Sequence, residues 1–307
     1  MLLLMEINKM SEETNQSIPL PSTLQDKPEE VEHSNPLANY FRHAKVNLIL
    51  PTGGKFWPEG SLITKEDGSL DVMAMTAKDE IIMKSPDGLL SGTSIVETIA
   101  SCVPGIKDPW VIPGFDMDAI LMAIRLASYD QDMNITTNCP ECNASNEVAL
   151  DIRELLDSIS RENIKHIYKI DDLTFEFKPY DFRFININNK ARFDQEQMAR
   201  SIIDNDVTDN ERSTYFAKLF KELADKGSES LVFAIDKISL PDGIIVRDKE
   251  QINEFITNCD RTMIKKIKDT LATMNSATNM ADIKIVCDEC NHEYKTAVEF
   301  NQANFFE

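Results

Sequence analysis

Two short, near-identical stretches limit what this chain can become: Cys139-Pro140-Glu141-Cys142-Asn143 and Cys287-Asp288-Glu289-Cys290-Asn291, separated by roughly 140 residues. Together they offer four thiolates, the number that fills a tetrahedral zinc shell. Period-two sequence flanks both pairs, over residues 134–138 and 147–150 at the first and 283–286 and 293–298 at the second. This predicts a β-hairpin with the cysteines at each tip. A turn that folds back over its sulfurs needs a left-handed residue after the second cysteine, and Asn143 and Asn291 are of the non-glycine type that tolerates that region best. The spacing therefore predicts one split zinc ribbon, with one Zn2+ per chain held by Cys139, Cys142, Cys287 and Cys290. The ion is structural in this reading, because four thiolates leave no open position for water. A dithiol redox centre needs only one pair and normally opens a helix, yet neither pair precedes a helical pattern. His292 is a spare ligand that four thiolates make unnecessary.

Charge narrows the function classes. The 307 residues carry 32 basic against 52 acidic side chains, a formal charge of -20, and a four-thiolate zinc site adds about two more negative charges. Such a chain repels phosphate, so neither nucleic acid nor an anionic membrane is an expected partner. No run of about 18 apolar residues is present to cross a bilayer. The opening Met1-Leu2-Leu3-Leu4-Met5 lacks a basic segment and meets Glu6 at once, unlike a signal peptide. Cys102 and Cys259 fall in helical patterns and read as packed thiols, which with thiolate ligation points to synthesis in a reducing cytoplasm.

Nothing else asks for catalysis. Gly53-Gly54-Lys55 lacks the first glycine of a phosphate loop, and Phe56 stands where a hydroxyl would bind magnesium. His33, His43 and His166 are scattered, and no H-E-x-x-H occurs. The chain is expected not to be an enzyme and to bind no small-molecule substrate.

The remaining pattern predicts an α+β fold. Residues 1–44 form an acidic arm, disordered where Pro, Ser, Glu and Asn dominate over 11–36. Residues 45–134 form a domain of a small β-meander with helices. Its first strand covers 46–50 and closes at Pro51-Thr52-Gly53-Gly54, and the last covers 69–74 after Asp67-Gly68. Capping boxes at Thr76…Asp79 and Ser94…Glu97 open helices, the first ended by Pro86, and Asp116 or Asp118 caps a third carrying Ile120, Leu121, Ile124 and Ala127. The ribbon halves occupy 135–150 and 283–300. Between them lies a largely helical insertion, 151–282, with a helix at 152–159 and a hairpin about Asp171-Asp172. Further helices are expected near 190–203, 209–225, 228–238, 248–258 and 261–274.

Three stretches carry a resemblance: Leu48-Ile49-Leu50-Pro51-Thr52-Gly53-Gly54-Lys55-Phe56-Trp57-Pro58, Met75-Thr76-Ala77-Lys78-Asp79-Glu80, and Ile124-Arg125-Leu126-Ala127-Ser128-Tyr129. In order and ahead of the first C-P-x-C, they resemble the baseplate hub subunit and hub assembly proteins of T-even-like tailed bacteriophages over roughly residues 45–300. The resemblance implies a late structural or assembly protein of the contractile tail baseplate, found in the virion or in the host cytoplasm during assembly. Other baseplate or tail proteins are then its partners, and there are no catalytic residues to carry over. The rival reading is a zinc-ribbon adaptor binding nucleic acid or a polymerase, which the charge opposes.

Overall fold

The computed structural model describes residues 35–159, 164–204, 209–276 and 282–296. Contacts divide the chain into Met1–Phe41 and Arg42–Glu307. In the first, a 3-10 turn spans Ala38–Tyr40, and the arm expected over 1–44 lies outside the described residues up to position 34.

The second unit begins with β1 (Ala44–Ile49) and β2 (Ser69–Met73), antiparallel with Leu48 opposite Leu70 and Val46 opposite Val72. Alternation turns Leu48, Leu70 and Val72 inward, where each is buried. The expected meander is this two-stranded pair; the long connection adds an isolated β-bridge, Leu62 to Ile106. Gly105 permits that approach, since a Cβ there would sit 2.5 Å from the Ile63 carbonyl oxygen.

Four helices follow. The capping box of Thr76 and Asp79 opens α1 (Ala77–Met83) as the spacing predicts. Pro86 does not end helical structure: it is the first residue of α2 (Pro86–Ser91), where its missing N–H costs nothing, behind a Ser85 cap. Ser94 does not cap α3 (Thr93–Cys102). Gly92, at φ 77, joins the two helices, and the Ser94 hydroxyl instead donates to the Ile82 carbonyl at 2.7 Å. Neither Asp116 nor Asp118 caps α4 (Gly114–Ser128), whose N-cap is Pro113. Asp116 is buried and faces the Thr52 turn, while Asp118 is exposed. Buried on more than the expected stripe, α4 packs against β1, β2 and α3.

Next come β3 (Asp132–Asn138), β4 (Ser145–Asp151) and α5 (Ile152–Ser158), the last capped by the Asp151 carboxylate. Ile152, Leu155 and Leu156 join the core built on α4.

The insertion holds more sheet than its pattern suggests. Strands β5 (Ile167–Ile170) and β6 (Leu173–Phe177) form the expected hairpin, with Asp171 left-handed at φ 52. Helix α6 (Phe182–Asp204) starts well before Lys190, because the Asp181 carboxylate accepts the Phe184 N–H at 2.8 Å and caps it. Helix α7 (Asp209–Ala234) runs unbroken through Gly227 and then becomes β7 (Ile235–Ser239). The two helices expected over 209–225 and 228–238 are thus one helix and a strand. The switch is tertiary: Lys249 donates to the Val232 carbonyl at 3.0 Å, satisfying a helix-end acceptor, while a register shift opposite Glu176 and Phe177 lets both Ile235 and Ile238 enter the second core. After β8 (Ile245–Val246) come α8 (Lys249–Asn258) and α9 (Arg261–Ser276), close to their expected bounds. The sheet order is β5-β6-β7-β8, antiparallel throughout. Phe175, Phe177, Ile252, Ile267 and Met274 fill its core.

The chain returns to the first hairpin with β9 (Ile283–Val286) and β10 (Glu293–Thr296). Residues 297–300 of the expected second ribbon half lie outside the described residues.

Candidate metal centre

Each hairpin keeps strict register up to its tip, Asn138 opposite Ser145 in one and Val286 opposite Glu293 in the other. Beyond these pairs the two tips repeat the same bonds. The N–H of Cys139 reaches the Ala144 carbonyl at 2.9 Å and that of Asn143 the Cys139 carbonyl at 2.9 Å. In the second, the N–H of Cys287 reaches the His292 carbonyl at 3.0 Å and that of Asn291 the Cys287 carbonyl at 2.9 Å. Asn143 at φ 60 and Asn291 at φ 52 are both left-handed, as the sequence requires. Backbone N–H groups then point back at sulfur, Ala144 at Cys142, Glu289 and Cys290 at Cys287, and His292 at Cys290.

The tips face each other. The Sγ atoms of Cys139, Cys142, Cys287 and Cys290 all lie within 4.8 Å of one another. Across the hairpins Cys139 is 3.7 Å from Cys290, and Cys142 is 3.6 Å from Cys287. An ion bound tetrahedrally with metal–sulfur bonds of ~2.3 Å has sulfur–sulfur edges of ~3.8 Å. The donor set therefore fits zinc in number, type and separation. Cys139 and Cys287 are buried while Cys142 and Cys290 are exposed, so such an ion would be sheltered on one side only.

The electrostatics favour a cation at the centre. The Cys290 N–H pulls the Cys287 thiol down to about 6, helped by the Glu289 N–H and neighbouring sulfurs and opposed by burial. Cys290 goes the other way. Its sulfur accepts the His292 N–H, which favours the thiolate, but the sulfurs of Cys142 and Cys287 and loss of water push it up to about 12. One thiolate opposes the next at this separation, and a divalent ion removes that opposition.

A residue with no motif of its own holds the two halves together. Asn146 is 2% exposed; its Oδ1 accepts the Asp288 N–H at 3.0 Å, and its Nδ2 donates to the Ala144 carbonyl at 3.1 Å and the Tyr294 hydroxyl at 3.3 Å. The signal was in the alternation, since Asn146 shares the inward face of β4 with Val148 and Leu150. His292, the spare ligand, instead stacks on Tyr294 with ring centroids 6.4 Å apart.

The other sequence candidates serve packing. Gly53 and Gly54 adopt φ 61 and 84 in a turn anchored on the buried Asp116 carboxylate. That carboxylate accepts the Thr52 N–H at 2.9 Å and the Trp57 Nε1–H at 2.7 Å. His166 packs edge-on against Phe56 at 5.5 Å. Cys102 is fully buried, and burial first, then Asp79, pushes its thiol up to about 11. Cys259 is half-buried, and His33 lies outside the described residues. Among the described residues no helix is long and apolar enough to cross a membrane.

No curated protein and no solved structure matches the chain. The three stretches that resemble phage baseplate proteins fall inside one continuous family match, which begins at residue 43, just before β1, and runs to the last residue. On that match, to the T4 bacteriophage base plate protein model over residues 43–307, the chain belongs to the T4 bacteriophage base plate protein family.

Proposed function

We propose that this chain is a structural subunit of the baseplate hub, acting through contacts with other tail proteins, and that one zinc ion held by Cys139, Cys142, Cys287 and Cys290 ties it together. Family membership places it among baseplate proteins. The observation that carries the metal is the four sulfurs within 4.8 Å, drawn from both ends of the insertion. Bound there, zinc supplies cohesion, since metal affinity becomes folding free energy when the ligands are far apart in sequence. The residues read as an arm (1–44), an N-terminal α+β domain (45–134), ribbon halves (135–150 and 283–300) and an insertion (151–282). A separate core on the four-stranded sheet supports an insertion with its own packing, although α5 and Phe182 pack on the α4 core.

The protein is not an enzyme in this reading, and at -20 formal charge it binds neither nucleic acid nor membrane. It is made late, in the host cytoplasm, and becomes part of the virion. Metal analysis of the purified chain tests the centre: one zinc per chain is expected, and a value of two, or one unchanged by Cys287→Ser, rules it out. Mass spectrometry of purified particles beside infected-cell lysate tests the location, and a protein present only in the lysate would be an assembly factor instead. A DNA titration at several salt concentrations should show no binding.

A further inference from the structure

Helix α6 leaves its body early. From Arg183 to Arg200 none of its residues is buried, although the stretch carries Ile187, 56% exposed, and Met198, 57% exposed. These two lie about three turns apart on one face of a 3.6-residue helix, with Ala191 and Asp194 between them. The neighbouring flank of α6 meets α7, where the Gln195 side chain reaches Glu222 at 3.5 Å and the Tyr215 hydroxyl reaches the Gln195 carbonyl at 3.5 Å. The Ile187 end of the open face borders a cleft of about 480 Å³ lined by Trp110, Arg183, Ile187, Lys190, Ala191 and Asp194. Trp110 is fixed there by stacking on Phe182 at 5.6 Å.

We propose that a second copy of this chain occupies this face, the two α6 helices packing antiparallel about a twofold axis between positions 192 and 193. That arrangement sets Ile187 of each copy against Met198 of the other and lets Met198 enter the cleft beside Trp110. The small Ala191 at the crossing allows close approach. Charge selects both partner and direction. Among the described residues Lys190 and Asp194 make no ion pair, and antiparallel packing places each Lys190 beside the Asp194 of the other copy. Parallel packing would oppose like charges. A chain of formal charge -20 repels its own copy almost everywhere, so a self-complementary face is what a homodimer needs. One helix pair buries less than the ~1,200 Å² of standard interfaces, so association falls in the micromolar range.

Sedimentation of the full, zinc-loaded chain from about 1 to 100 µM tests this. The wild type should pass from one chain to two across that range. Lys190→Glu and Asp194→Lys should each weaken self-association about tenfold or more, and Met198→Asp should abolish it. Mixing the two charge variants should restore a dimer, because each then offers the other opposite charges at both contacts. No change of stability within one helix can be repaired by mixing. A wild type that stays monomeric, charge variants that dimerise unaided, or a mixture that stays monomeric overturns the proposal. So does a monomer whose position 191 photo-crosslinks to a different baseplate protein in infected cells, since that identifies another occupant.

Discussion

A single buried amide and a single ion pair show how residues hold this protein. Asn146 uses both ends of its side chain between the hairpins, so Asn146→Ala removes both while leaving the Asp288 N–H without its acceptor. The expected cost is about 1–3 kcal/mol, read as a lower melting temperature and as easier loss of zinc to a competing chelator. Asp79 is the complementary case. Burial raises its pKa, but the N–H and hydroxyl of Thr76, the Ser101 hydroxyl and Arg42 at 3.2 Å outweigh that and leave it below its usual 3.8. A carboxylate depressed in the fold stabilises it above the unfolded value and stops doing so as the pH falls through the folded one. Arg42→Met should therefore cost on the order of 2 kcal/mol at neutral pH. The gap from wild type should narrow in thermal melts as the pH drops below 3.8; a gap that stays constant would show that Arg42 acts through its bonds to Ala74 and Ser101 and its packing, not through the Asp79 charge.

At the scale of the element, the knuckle depends on one backbone conformation. Asn291 sits at φ 52, which costs most L-residues about 1–2 kcal/mol and glycine almost nothing. Asn291→Gly should match the wild type in zinc affinity while Asn291→Ala weakens it several-fold by competitive titration. Equal behaviour of the two would mean the side-chain amide, not the backbone, is what matters. Helix ends teach the same lesson in reverse. Ser94 and Asp116 look like caps in sequence, but Ser94 bonds Ile82 and Asp116 holds Thr52 and Trp57, both partners distant in the chain.

For the whole molecule, a metal held by the four cysteines would close a loop from Cys139 to Cys290 that contains α6, α7 and the four-stranded sheet. Chelation should lower the melting temperature and speed hydrogen exchange over 132–151 and 283–296. Most of the far-ultraviolet helical signal should survive, because the two cores are built from side chains outside the site. Cys142→Ser should reproduce these changes and block incorporation into baseplate intermediates. Unchanged exchange at the hairpins together with normal tail assembly would show the ion to be dispensable.

What local chemistry encodes was readable without coordinates. The paired C-x-x-C hairpins, their left-handed asparagines, the Thr76 capping box and helices α8 and α9 all follow from spacing, because turns, caps and amphipathic faces act over a few residues. What depended on partners far along the chain was not. Whether Ile235 and Ile238 continue a helix or form a strand was decided by β6 beside them and by Lys249 on the helix end. The same holds for the role of Asn146, which exists only once residues 146 and 288 meet. The sequence alone determined that four thiolates could converge and which turns would carry them. Tertiary structure decided that they do, because burial and long-range pairing override local preference wherever a segment fits more than one pattern.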